Sequence, residues 1–173
     1  PISLYGRTKA QAEKIVMQHD NFVAFRLATI FGYSYRMRTD LIVNNFVEKA
    51  VKTKRLDIFE PKFRRNFVHI KDVVKAFVFA IENFKKVRNN IFNLGLSSAN
   101  ITKIQLAQKI KKNLKNTKIV VNKFKSDPDK RDYFVSNKKI EKAGFKAKIT
   151  LEEGIEELAN IFSNCDIKFN NNY

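Results

Sequence analysis

Short apolar runs alternating with stretches of helical period are the feature that most restricts what this chain can become. Phe22 to Ile30, ending at Gly32, has the length and apolar, β-branched content of a buried strand. Leu56–Phe59, Asn66–Ile70, Asn90–Leu94 closed by Gly95, and Lys118–Phe124 read the same way. Between them, residues 4–18, Leu41–Val51 and Asp72–Phe84 place apolar side chains at helical spacing. The first carries Ala12, Ile15 and Val16; the third carries Val73, Val74, Ala76, Phe77 and Ala80. Alternation of this kind, rather than blocks of one element, predicts an α/β fold.

Local signals sharpen the second half. Thr102 with Gln105, and Thr150 with Glu153, have the spacing of capping boxes, so helices are expected from Lys103 onward and over Leu151–Phe162. Ser126-Asp127-Pro128-Asp129 reads as a turn, and Asn137–Ala143 as a short helix stopped by Gly144. Asp166–Tyr173 reads as a frayed tail. No repeat and no Gly- or Ser-rich linker divides the chain.

Bulk composition excludes more than it assigns. No apolar run among the 173 residues approaches the ~20 needed to span a membrane. The first residues lack both the apolar core of a signal peptide and an initiator methionine, which reads as a fragment. A single cysteine, Cys165, leaves no internal disulfide and fits a reducing cytoplasm. The net charge of +17 would suit an anionic partner. The lysines are scattered, however, and Lys109, Lys111, Lys112, Lys115 and Lys118 read as the solvated face of one amphipathic helix. Abundant Lys, Asn, Ile and Phe together also fit drift of an AT-rich coding sequence, so nucleic acid is not the expected partner.

One motif carries recognisable chemistry. Tyr5-Gly6-Arg7-Thr8-Lys9 puts a phenol and an ammonium four residues apart, on one face of the first helix. A free phenol ionises near pH ~10, and a cation held alongside favours the phenolate. The pair could therefore act as a proton acceptor near neutrality, or be an exposed pair on a surface helix. His69, between Val68 and Ile70, has no Cys or second His at ligand spacing, so a structural histidine near the start of the Asp72 helix is expected and no metal. His19 shows no identifiable chemistry, and no phosphate-binding loop, zinc signature or nucleophile elbow occurs.

The order of motifs says more than any one of them. Pro1-Ile2-Ser3-Leu4-Tyr5-Gly6-Arg7-Thr8-Lys9 with Glu13, then Phe25-Arg26-Leu27-Ala28-Thr29-Ile30-Phe31-Gly32, then Arg36 to Phe46, resemble successive segments of one enzyme family. Arg65-Asn66-Phe67-Val68-His69-Ile70-Lys71-Asp72-Val73, Asn90-Ile91-Phe92-Asn93-Leu94-Gly95, and Asp129-Lys130-Arg131-Asp132-Tyr133 through Gly144-Phe145 continue the series. Together they resemble the C-terminal part of the NAD-dependent epimerase/dehydratase family, the extended short-chain dehydrogenases/reductases acting on nucleotide sugars.

That resemblance implies the last part of a Rossmann-type parallel sheet with its helices, plus a small α/β substrate-binding lobe. Residues 1–34 and about 66–95 would hold core elements, about 35–65 and 96–165 mainly the lobe, and 166–173 the tail. It implies that Tyr5 takes a proton from a sugar hydroxyl while hydride passes to NAD or NADP, and that Lys9 binds the nicotinamide ribose. Thr29 and the backbone near Tyr33 would approach the cofactor, although Tyr33 and Tyr35 stand where the family usually has proline. Arg65 and Arg131 would bind the diphosphate of a nucleoside-diphosphate sugar, with Asn45 contributing and Arg64 a one-residue alternative to Arg65. A homodimer through the first helix and the helix after it is implied too. The five glycines form no Gly-rich pyrophosphate turn, and Ser3 lies too close to Tyr5 to be the family's catalytic Ser/Thr, so the chain alone is expected to be silent. The competing readings are a reductase of a non-nucleotide carbonyl, a basic nucleic-acid-associated protein predicting a contiguous lysine surface, and an inactive remnant exposing apolar surface.

Overall fold

The computed structural model describes residues 3–122 and 132–164; Arg131, Phe124, the turn at 126–129, Cys165 and the tail lie outside the described residues. The first helix, α1 (Leu4–Val16), starts where the Ser3 hydroxyl accepts the Gly6 N–H at 3.1 Å. Capping of this kind satisfies one of the donors a helix start leaves open.

The expected strand Phe22–Ile30 is two strands, β1 (Val23–Leu27) and β2 (Thr29–Phe31). β1 runs parallel to β6 (Asn90–Leu94), and β2 parallel to β5 (Phe67–His69). Ala28 is the hand-over: its N–H donates to the Leu94 carbonyl at 2.8 Å, and the next N–H, of Thr29, donates to Asn66 at 3.0 Å. Sterics make the switch. A Cβ on Gly95 would sit 1.7 Å from the Asn66 side-chain oxygen and 3.1 Å from the Ala28 methyl. Only a glycine lets β6 end while Asn66 enters the same space.

Between these strands lie α2 (Ile42–Lys52), β3 (Arg55–Ile58) and β4 (Arg64–Arg65), with α3 (Ile70–Glu82) and α4 (Phe84–Val87) after β5. The helix expected over Asp72–Phe84 starts earlier, because His69 caps it, and breaks at Asn83, whose side-chain amide donates to Phe79 O at 3.0 Å. The structural role expected of His69 is thus the one observed. The chain continues through β7 (Ile101–Thr102), α5 (Lys103–Asn113), β8 (Lys118–Val121), α6 (Lys138–Ala143) and α7 (Leu151–Asn164). Both expected capping boxes form, at Thr102/Gln105 and Thr150/Glu153. β3 pairs parallel with β8, and β4 antiparallel with β7.

The core lies where α2, α5 and α7 meet, with Val43, Val47, Leu106, Ile110, Ile155 and Leu158 fully enclosed. Each such side chain contributes about 1.5–3 kcal/mol through its removal from water. Two polar ties join this region to α3. Asp72 Oδ2 accepts the N–H groups of Lys148 and Ile149 at 2.9 and 2.8 Å, anchoring the chain just before α7. Glu157 on α7 accepts from His69 Nε2 at 2.7 Å and from Lys71.

The other side of the molecule is packed differently. α1 buries none of its residues and is held to β1 by the Arg26–Glu13 pair, two hydrogen bonds of 2.8 and 2.6 Å. α3 turns Val73, Ala76 and Ala80 inward but leaves Val74, Phe77, Val78 and Ile81 exposed, the last at 75%. Leu4, Ile15 and Met17 of the α1 region are exposed as well.

Asp72→Ala should lower stability by about 1–3 kcal/mol, because two backbone N–H groups lose their acceptor. Asp72→Asn, which keeps an acceptor, should cost less; urea denaturation of both compares them. For Glu157, burial pushes the carboxyl pKa up, but the hydrogen bonds from Lys71 and His69 outweigh it and hold the pKa below the ordinary value. Its contribution is therefore fully present above the unfolded carboxylate value of about 4.3 and disappears as pH falls through the lower folded value. The urea midpoint of Glu157→Gln should accordingly fall less than that of the unmodified chain between neutral pH and pH about 3.

Candidate active site

The parallel strands β1 and β6, and their continuations β2 and β5, point their carboxyl ends the same way. In open α/β sheets that end is where ligands bind, because loops diverge there and helix starts face the gap. The loop after β2 begins at Gly32, with φ of +107°, and is pinned from α2. Asn44, buried, accepts the Gly32 N–H at 3.1 Å and donates to the Arg38 carbonyl at 2.9 Å. Asn45 beside it, half-buried, donates to the Thr39 carbonyl at 3.1 Å, so its amide nitrogen shapes the loop.

Tyr5 and Lys9 stand on α1 as the spacing predicts. Tyr5 is 70% exposed, and the Lys9 ammonium lies over its ring at 5.6 Å from the centroid. Ser3, upstream of the phenol, is engaged as the helix cap. Thr29 opens β2, partly covered, with its backbone committed to Asn66. Tyr33 follows Gly32 and packs against the fully exposed Tyr35, ring centroids 6.2 Å apart.

The arginines occupy a separate edge. β4 aims Arg65 inward and Arg64 outward, the alternation a strand imposes. Arg65 is buried, its guanidinium donates to the Arg64 carbonyl at 2.9 Å, and its plane lies over the Tyr133 ring at 5.2 Å. Arg64 holds Asp132 through its backbone N–H at 2.7 Å and its guanidinium at 3.1 Å. That pair raises the Arg64 pKa and holds the Asp132 carboxyl below its ordinary value, chiefly through the hydrogen bonds between them. Arg131 lies outside the described residues.

Residues not singled out from the sequence hold this edge together. Asn100 donates to the Val135 carbonyl at 3.0 Å and accepts its N–H at 2.9 Å, as a neighbouring strand would, and Asn93 donates to Ser136 at 3.2 Å. Asn44 was discoverable: helical spacing sets it among Val43, Val47 and Ala50, and a buried amide must find partners. Asn100 carries no such signal, because it lies in a loop.

The described groups thus fall in three places. Tyr5 and Lys9 stand on α1, while Thr29 and Tyr33 lie at the end of the parallel strands. Arg64, Arg65, Asp132 and Tyr133 line the edge formed by β4 and the strap after residue 131. Among the described residues no helix is long and apolar enough to cross a membrane.

Comparison with known proteins agrees with this architecture. The chain is 30% identical over 171 residues to an uncharacterized protein of Methanocaldococcus jannaschii, covering 94% of this chain and 50% of that one. A putative UDP-glucose 4-epimerase of the same organism is 25% identical, with 95% and 54% covered. The chain therefore spans about half the length of these curated relatives. A UDP-glucose 4-epimerase of Thermotoga maritima, solved with UDP-glucose, superposes with a TM-score of 0.80 at 26% identity, covering 94% of this chain and 54% of that one. The family model for the NAD dependent epimerase/dehydratase family matches residues 1–95, from the Tyr5 helix to the end of β6, and the chain belongs to that family.

Proposed function

We propose that the protein containing this chain is an NAD(P)-dependent epimerase, dehydratase or reductase of a nucleoside-diphosphate sugar working in the cytoplasm. In this reading the chain supplies the catalytic tyrosine and the substrate-binding side. The observation that carries it is Tyr5 with Lys9 on one exposed helix face, ahead of parallel strands whose loops open at their carboxyl ends. The family match over the same residues supports it.

The residues present fit one end of the cofactor. A phenol and an ammonium on α1, a threonine hydroxyl at the start of β2 and a loop opened by Gly32 suit a ribose and a nicotinamide ring. No Gly-rich turn is available here for the pyrophosphate. The nicotinamide, when bound, supplies the hydride acceptor. Tyr5 accepts the proton of the sugar hydroxyl at its phenolic oxygen, and Lys9 holds the ribose. The exposed apolar faces of α1 and α3 are the surfaces a cofactor-binding half would cover, which would also shield the phenol from bulk water.

On the substrate side, Arg65 and Arg131 bind the diphosphate, and Asn45 contributes from α2. Guanidinium forks match phosphate oxygens in pairs, and the Arg65 guanidinium lies over the Tyr133 ring. A homodimer through α1 and α2 belongs to the same proposal.

The test uses the enzyme that contains this chain. Tyr5→Phe should reduce kcat roughly 10²- to 10⁴-fold while leaving NAD(P) affinity, read by fluorescence titration, unchanged. Wild-type turnover by Tyr5→Phe sinks the assignment. Arg65→Lys keeps the charge and loses the fork, so KM for the nucleotide sugar should rise roughly tenfold or more at similar kcat. An unmoved KM would favour a carbonyl substrate without a diphosphate.

A further inference from the structure

A second feature has no part in this chemistry. Residues 83–126 contain no Asp or Glu at all, although the chain has 17 such residues. The fold brings part of that stretch against the basic end of α2. Lys118 opens β8 directly beside Arg55 of β3 in the parallel register, and its N–H donates to the Lys54 carbonyl at 2.8 Å. Lys109, Lys112, Lys115 and Lys118 follow one another at intervals of three residues along α5 and into β8, with Lys111 beside them. Of the row expected on the solvated face of one helix, Lys109, Lys111 and Lys112 lie on α5, Lys115 follows it and Lys118 opens β8, and all but the half-buried Lys109 are exposed.

Two clefts lie along this row. One, of about 280 Å³, is lined by Ile101, Gln105, Gln108, Lys109 and Lys112. The other, of about 390 Å³, is lined by Lys54, Asn113, Leu114, Lys115, Asn116 and Thr117. Each therefore combines ammonium groups with carboxamides, which are donors for phosphate oxygens. Nearby ion pairs engage Lys52, Arg55 and Lys109 with Glu48, Asp57 and Glu152, whereas Lys54, Lys111, Lys112, Lys115 and Lys118 are exposed to solvent. Cations at the ends of α2 and α5 offset the helix dipoles, but half a unit charge per helix does not require so many.

We propose that this surface binds the phosphate backbone of a nucleic-acid duplex without reading its sequence. Residues 103–121 contain no aromatic side chain, so no base can stack there as a single strand requires. α5 exposes no large apolar side chain to enter a bilayer. Lysines act as point charges, which gives affinity without base selectivity.

The experiment is fluorescence anisotropy of the full chain with a labelled DNA duplex across a salt series. Binding should weaken roughly 100-fold between about 50 and about 200 mM salt, as expected when four lysines displace counterions. The triple variant Lys112→Gln, Lys115→Gln, Lys118→Gln should lose most of the binding, and its log–log salt slope should fall by about three. The variant Lys14→Gln, Lys75→Gln, Lys146→Gln removes the same charge elsewhere and should bind like the parent. Equal weakening of both variants would reduce the effect to net charge and overturn the proposal. So would capture of phosphatidylserine vesicles or polyglutamate with no capture of the duplex.

Discussion

The structure depends on how closely its elements crowd around one buried ring. His69 ends β5 and caps α3, where its Nδ1 accepts the Lys71 N–H. Since Nδ1 accepts, Nε2 carries the proton and donates it to Glu157 on α7. The ring edge packs on Phe31 at 5.2 Å between centroids, and a Cβ on Gly32 would approach Nε2 to 2.4 Å. Gly154 lets α7 approach from the other side, where a Cβ would lie 2.3 Å from the Phe31 ring. One imidazole thus fixes the end of β2, the start of α3 and the depth of α7 together. The loop leaving Gly32 inherits its direction from that packing.

That anchoring explains the contrast between the two sides of the molecule. The loops at the carboxyl ends of β2 and β5, and the arginine edge on β4, rest on polar ties from the buried Asn44, Asn66 and Asp72 and the half-buried Asn100. α1, which carries Tyr5 and Lys9, has no comparable tie. An exposed ion pair such as Arg26–Glu13 contributes at most about 1 kcal/mol, and the helix contributes no buried side chain. The loops after the parallel strands are therefore tied by polar contacts to the core, while α1, which carries Tyr5 and Lys9, is held by the Arg26–Glu13 pair and buries none of its side chains.

Much of the fold was legible in the sequence because it is written locally. Apolar period separates α2, α5 and α7 from the strands, and Thr102/Gln105 and Thr150/Glu153 announce helix starts through bonds spanning only three residues. The division of Phe22–Ile30 was not legible, since its cause is Asn66 and Gly95, distant in sequence. The start of α3 shifted for a local reason, the His69 cap, which accepts the Lys71 N–H. Among site residues, Tyr5 and Lys9 share a face because the helix makes them do so. The Asp132 contact to Arg64 and the stacking of Tyr133 on Arg65 arise from segments about 68 positions apart, which no local period encodes.

The sequence by itself determined the alternation of elements, the helix caps, the family and the pairing of a phenol with an ammonium, because each rests on short spacing or on motif order. Only the tertiary structure decided where β1 gives way to β2, which asparagines hold the loops after the strands, and that Lys118 of β8 stands beside Arg55 of β3. The physical reason is the same in each case: these features depend on contacts between distant segments, and such contacts exist only once the core has brought the segments together.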